Sequence, residues 1–166
     1  KNISDKKSKE LILCSFSDNK LQMKLGNITL LTKTIEHKFP NYKVIIPTNN
    51  EGLLTVNRLS LLNNIKQLSS YTDYQGVVSF NVSDGILSLK AEDDIKKTKV
   101  VLKVSCETLD LYDNYKIGFN DKLLIAILSN LSCEEITFKL SAPNKGALIA
   151  TDDDNLTILL MPLILS

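Results

Sequence analysis

A capped helical stripe occurs twice in this sequence at one fixed offset. Asn57 begins the first copy and is followed by Leu61, Leu62, Ile65 and Leu68; Asn120 begins the second and is followed by Leu124, Ile125, Leu128 and Leu131. The two sets superpose residue for residue, without a gap. Asparagine is a good N-cap because its side-chain oxygen accepts from a free first-turn N–H, and apolar residues three and four apart line one helix face. The spacing therefore predicts helices over 57–68 and 120–131. Each follows a short strand, ending Leu54-Thr55-Val56 and Lys116-Ile117-Gly118-Phe119. A duplication of this kind restricts the fold to two copies of one unit packed against each other.

Elsewhere the hydrophobic period is two. Leu21, Met23 and Leu25 alternate with Gln22 and Lys24. Val78, Phe80 and Val82 alternate with Ser79 and Asn81; Val100, Leu102 and Val104 with Val101 and Lys103; Ile136, Phe138 and Leu140 with Thr137 and Lys139. Each set lays its apolar side chains on one face of a sheet. Asp18-Asn19-Lys20, Gly26-Asn27, Asp84-Gly85 and Asp152 to Asn155 read as hairpin turns, Asp-Gly being the strongest of these signals. From about Asn50 onward the chain reads as two copies of strand-helix-strand-strand-strand, an α+β domain with two helices side by side against antiparallel sheet. Glu10 to Ile35 reads as three more strands without a helix before them, the tail of a third copy, expected to leave an open apolar edge. Pro40 to Pro47 reads as a linker. The chain opens on Lys1 rather than Met and on a patternless polar run to Lys9, and so reads as a piece of a longer chain.

Twenty basic residues against nineteen acidic leave a net charge of +1, which neither announces nor forbids a nucleic-acid partner. Cys14, Cys106 and Cys133 are odd in number, far apart and without a C-x-x-C, which fits free thiols in a reducing cytoplasm. The longest apolar run, Leu156 to Leu165, is broken by Thr157 and Pro162 and falls short of the roughly 18 residues of a membrane span. No catalytic constellation is visible. The single histidine, His37, has no Cys or second His at zinc-ligand spacing, and no Gly-rich phosphate loop follows a strand. Asp152-Asp153-Asp154 and Asp93-Asp94 read as solvated acidic turns, and no serine on a sharp turn stands ready for Ser-His-Asp chemistry. Neither a cofactor nor a metal is expected.

Four motifs in order then carry a resemblance. Lys38-Phe39-Pro40-Asn41-Tyr42 followed by Ile45-Ile46-Pro47, then Ile117-Gly118-Phe119-Asn120, then Ser141-Ala142-Pro143-Asn144-Lys145, and the terminus Leu160-Met161-Pro162-Leu163-Ile164-Leu165 resemble stretches of the bacterial DNA polymerase III beta subunits, the sliding clamps. Ala91-Glu92-Asp93 and the Ser141 stretch are similar to Bacteroidetes-like versions. The resemblance runs from about Leu11 to the C-terminus. It implies the DNA-clamp fold, with residues 1–47 as the last part of clamp domain two plus a linker and 48–166 as a complete domain three.

The resemblance also implies roles. Pro40, Val44, Ile45, Asn120, Leu123, Asn144, Gly146, Leu159, Met161, Pro162, Leu163 and Ile164 would form an apolar pocket for short linear peptides bearing a glutamine, a leucine and an aromatic. Val44 stands where some clamps have arginine, Leu123 where many have tyrosine and Ile164 where some have arginine, so the pocket should be more apolar and poorer in donors. Arg58, Lys66 and Lys122 would face DNA phosphates. Ser70 and Tyr71 at a helix end, with Lys96, Lys97 and Lys99 near an edge strand where many clamps are acidic, would meet a second subunit, through an interface of reversed polarity or through apolar packing; the lysines read equally well as charge that blocks unwanted strand pairing.

The implied function is that of a non-catalytic, cytoplasmic processivity factor. As a homodimeric ring it would encircle duplex DNA without reading sequence, and through one pocket recruit the replicative polymerase, the clamp loader and repair polymerases. The alternative is a clamp-derived or unrelated α+β peptide-binding module that forms no ring. An upstream first domain separates the first reading from the second. Two helices on one face of curved sheet, with the tail beside Pro40, separate both from an unrelated domain.

Overall fold

The structure, a computed structural model, describes residues 11–151 and 156–165; the acidic turn expected at Asp152 to Asn155 lies outside these residues. The chain divides into two compact units, Lys1–Asn41 and Tyr42–Ser166.

The described part of the first unit is an antiparallel meander of β1 (Leu13–Ser17), β2 (Lys20–Leu25) and β3 (Ile28–Lys33). Asp18 (φ 48) and Gly26 (φ 53) take the left-handed backbone that tight hairpins require. Register sets Phe16 opposite Leu21 and Met23 opposite both Cys14 and Leu30, so one face is apolar. No residue from Leu11 to Asn41 is buried.

The second unit opens on a 3-10 turn, Tyr42–Val44. Then come β4 (Gly52–Asn57), α1 (Arg58–Leu68), β5 (Val77–Ser83), β6 (Ile86–Asp93) and β7 (Thr98–Leu109). The second copy follows as β8 (Tyr115–Asn120), α2 (Asp121–Asn130), β9 (Glu135–Leu140), β10 (Ala147–Ala150) and β11 (Ile158–Leu160). The duplicated strand-helix-strand-strand-strand pattern is thus present, and both caps form as expected. Asn57 Oδ1 accepts from Ser60 N at 2.9 Å and Asn120 Oδ1 from Leu123 N at 3.1 Å. The buried stripe of α1 is Leu61, Leu62, Ile65 and Leu68. In α2 only Leu124 and Leu128 of the expected apolar set are buried. Leu131 lies just past the helix with an extended backbone (φ −93, ψ 147), and Ile125 is half-covered.

The strands form one sheet in the order β11-β10-β9-β4-β7-β6-β5-β8. Each copy lends its opening strand to the other. β4 pairs with β9 of the second copy, and β8 pairs with β5 of the first. β7 joins the two halves, pairing with β6 over Thr98–Ser105 and with β4 over Cys106–Leu109. At the centre Phe80, Phe119 and Phe138 meet, with ring centroids 5.2 Å, 5.8 Å and 6.1 Å apart. These separations suit favourable aromatic pairs. The rings come from β5, β8 and β9, so the core belongs to neither copy alone.

The C-terminal tail joins the two ends of the sheet. Leaving β11, it brings Leu163 alongside Gly118 of β8, and the Leu163 N–H donates to the Gly118 carbonyl at 2.8 Å.

Candidate functional site

A cavity of about 540 Å3 lies between the start of the second unit, the β9–β10 connection and the tail. That volume is in the range of small-ligand and peptide-anchor sites. The opening segment supplies Val44, Ile45, Pro47, Thr48 and Asn49; the connection supplies Ser141, Ala142, Asn144, Lys145 and Gly146; the tail supplies Met161. Asn50 holds two of these pieces together. Its Nδ2 donates to the Lys139 carbonyl at 2.7 Å and to that of Gly146 at 3.2 Å. The turn itself is closed by Lys145 N donating to the Ala142 carbonyl at 2.9 Å. Gly146 is what lets the tail approach. A Cβ there would stand 2.7 Å from Leu159 Cδ1 and 3.2 Å from Met161 Sδ. Lys145 is the one charged side chain among the described lining residues.

Five of the sequence-derived pocket residues thus share one cavity: Val44, Ile45, Asn144, Gly146 and Met161. Leu159 adjoins it beneath Gly146. The others lie elsewhere. Asn120 caps α2 and donates to the Gln75 carbonyl at 3.0 Å; Leu123 is exposed on the same helix. Pro162 is half-buried in the tail and Leu163 sits on Gly118. Ile164 lines a second cavity of about 300 Å3, with Tyr74, Asp93, Ile95 and Leu165 among its neighbours. Pro40 belongs to the first unit and is exposed. Sequence reasoning missed Pro47, Thr48, Asn49, Ser141, Ala142 and Lys145 as lining residues. Their signal was present, since most lie in or directly beside the motifs that carried the resemblance.

The basic residues of the helices differ among themselves. Lys66 and Lys122 are exposed. Arg58 is turned toward the end of α2, where Nε donates to the Cys133 carbonyl at 2.6 Å and a terminal nitrogen to that of Leu128 at 3.0 Å. A cation there satisfies carbonyls that a helix C-terminus leaves free and favours its dipole.

Asp121, at the first position of α2, is buried. Ser69 Oγ (2.5 Å) and Thr72 Oγ1 (3.1 Å) donate to its Oδ2, and Lys122 N donates to Oδ1 at 2.6 Å. It thereby locks the end of α1 to the start of α2.

Ser70 and Tyr71 are exposed at the end of α1. In the β6–β7 turn, Asp93 Oδ1 accepts from Ile95 N and Lys96 N, both at 3.0 Å, and Lys96 Nζ lies 2.9 Å from Oδ2. The Lys96 N–H and then its side chain hold the Asp93 carboxyl below the ordinary carboxylate range. Lys97 follows with a left-handed backbone (φ 51), and Lys99 is exposed on β7. Among the described residues no group of three His, Cys, Asp or Glu is placed to hold a metal, and no helix is long and apolar enough to cross a membrane.

A duplicated strand-helix-three-strand domain, with two helices against one antiparallel sheet and an apolar cavity beside its tail, is the architecture of a sliding-clamp domain. The profile of the DNA polymerase III beta subunit, C-terminal domain, matches residues 43–164, and the chain belongs to that family. It is 28% identical over 143 residues to the beta sliding clamp of Pseudomonas aeruginosa, covering 83% of this chain and 37% of the relative. It is 29% identical over 149 residues to that of Chlamydia muridarum, covering 87% and 38%. A crystal structure of the Pseudomonas aeruginosa clamp with ligand superposes with a TM-score of 0.81 at 22% identity, covering 96% of this chain and 43% of that one. A Bartonella birtlesii clamp bound to griselimycin gives 0.81 at 25%, covering 93% and 41%. The chain thus spans about two fifths of the length of these relatives.

Proposed function

We propose that this chain is the C-terminal part of a processivity clamp, with residues 1–47 as the end of clamp domain two plus linker and 48–166 as domain three. The whole protein would close as a homodimeric ring on duplex DNA. It would hold the replicative polymerase there by topology, and it would recruit the clamp loader and repair polymerases through linear motifs. Nothing is turned over; the gain is effective concentration at the template. The protein acts in the cytoplasm as an accessory, non-catalytic subunit. Ala91-Glu92-Asp93 and the Ser141 stretch ally it with Bacteroidetes-like versions.

The observation that carries this reading is the cavity at Val44, Ile45, Gly146 and Met161. Aliphatic walls with few polar groups suit a leucine or aromatic anchor, and an exposed methionine adapts to several of them. The remaining pocket candidates, Pro40, Asn120, Leu123, Leu159, Pro162, Leu163 and Ile164, would contact flanking parts of a longer peptide. Lys66 and Lys122 supply free charge toward DNA, with Arg58 acting mainly by holding α2. Ser70, Tyr71, Lys96, Lys97 and Lys99 belong to the subunit contact.

The test is titration of a fluorescent peptide carrying the Gln-Leu-aromatic motif. Saturable binding to the parent chain, weakened at least tenfold by Met161→Ala with Ile45→Ala, is the expected result. Unchanged affinity in that double variant, with folding verified by circular dichroism, would move the site elsewhere.

A further inference from the structure

The walls of the cavity beside the tail stand open. Val44, Ile45 and Met161 are exposed, and so is Lys145, the one charged side chain among the lining residues. Exposed apolar surface of this kind marks a contact site, and its single cation favours an acidic occupant. The second unit itself carries a segment of that chemistry. Leu109-Asp110-Leu111-Tyr112-Asp113 leads from β7 toward β8. Leu109 is 58% and Tyr112 60% exposed, and both aspartates are exposed and without an ion pair among the described residues. No other described loop of the second unit exposes an aliphatic and an aromatic side chain beside two carboxylates.

Segment and cavity are neighbours. A Cβ at Gly52 would stand 2.8 Å from Leu111 Cδ1 on one side and 3.3 Å from the Leu140 carbonyl on the other, and Ser141 next to Leu140 begins the cavity wall. The segment is nevertheless fixed in place. Asp110 (φ 52) and Asn114 (φ 60) turn it through left-handed backbone, Leu111 packs over Gly52, and the Tyr112 ring meets that of buried Tyr115 edge-on at 5.2 Å. It is not free to fold into the cavity of its own chain. A twofold axis between two copies brings each segment to the other's cavity, because one patch carries both halves of the contact. We propose that two copies of this chain pair in this way. Leu109 and Tyr112 of each enter the other's cavity against Val44, Ile45 and Met161, while Asp110 and Asp113 meet Lys145 at the rim. The inference rests on the reading of that cavity as a site for aliphatic and aromatic anchors, and it supplies a different occupant. Ser70, Tyr71 and the lysines of the β6–β7 turn take no part. A pair so joined closes both cavities, so self-pairing and peptide binding exclude each other by mass action.

Analytical ultracentrifugation of the whole chain over a concentration series tests this. The parent chain should form a reversible dimer. Leu109→Ala with Tyr112→Ala, both at exposed positions, should raise its dissociation constant about tenfold or more. A charge exchange identifies the contact. Lys145→Glu on one chain, and Asp110→Lys with Asp113→Lys on another, each set like charge against like and should stay monomeric where the parent pairs. Mixed, the two variants should form a heterodimer, because each segment then meets the opposite charge. A parent chain that remains monomeric, a dimer indifferent to Leu109 and Tyr112, or a mixture that does not pair would overturn the proposal. Motif peptide should still bind the Leu109→Ala, Tyr112→Ala variant. A chain that binds peptide but never pairs refutes self-docking alone, and one that does neither refutes the reading of the cavity as well.

Discussion

Gly118 shows how much one missing side chain can decide. A Cβ at this position would stand 2.6 Å from Leu165 Cδ2 and 3.0 Å from the Leu163 carbonyl. The Leu165 side chain could turn aside, but the Leu163 carbonyl could answer only by a shift of the tail backbone. Gly118→Ala is expected to cost about 1–3 kcal/mol in urea unfolding, the range of overpacking in a close contact, and to speed hydrogen exchange of the Leu163 amide. Asp121 works the opposite way, by what it adds. Asp121→Ala leaves the Ser69 hydroxyl without its acceptor and Thr72 with only the Ser69 carbonyl, and should cost about 1–3 kcal/mol, the penalty for stranding a buried polar partner. Asp121→Asn, which keeps an oxygen, should lose less. Arg58 illustrates a role that residue type alone does not disclose. A basic residue opening a helix reads as a surface charge. Its engagement with Leu128 and Cys133, 70 and 75 positions away, needs the folded helix pair to be seen.

The two helices offer a comparison between like elements. Asn57 and Asn120 make the same capping bond, so each change to alanine should cost about 1 kcal/mol. Asn120 also donates to the Gln75 carbonyl, so its loss should exceed that of Asn57 in parallel chemical denaturation. These elements were legible in the sequence because cap and stripe are local, and both lie within one or three turns of helix. The end of α2 was less so. Leu131 keeps the helical period yet leaves the helix, because the chain there must already turn toward β9. The β6–β7 turn gives a pH prediction. The Asp93 carboxyl is held below its ordinary value of 3.8, so what it adds to the turn is complete above that pH. It is lost as pH falls through the lower folded value. Amide exchange at Ile95 and Lys96 should therefore accelerate in acid beyond the intrinsic rate, and Asp93→Asn should abolish that acid dependence.

Across the whole molecule the exchange of opening strands dominates. β4 completes the sheet of the second copy and β8 that of the first, with Phe80, Phe119 and Phe138 packed between them. The second unit should therefore unfold as one. Circular dichroism and the fluorescence of its tyrosines should give coincident transitions, and Phe138→Ala should lower both midpoints together, by about 3–5 kcal/mol in stability. The sequence disclosed that there were two copies, but not that they trade strands, because pairing between distant segments leaves no local period. The cavity was half legible for a related reason. Val44, Ile45, Gly146 and Met161 come from three separate stretches, and only the resemblance linked them. Which polar residues stand between them depended on the path of the turn.

That trade also sets an order of events during synthesis. β4 is the first strand of its unit to leave the ribosome, yet its partner β9 follows some eighty residues later, and the tail that lies on β8 comes last of all. A nascent chain must carry β4 without β9 through most of the unit's translation. Its exposed edge over that interval is where a chaperone would be needed and where a stalled chain would be most open to aggregation.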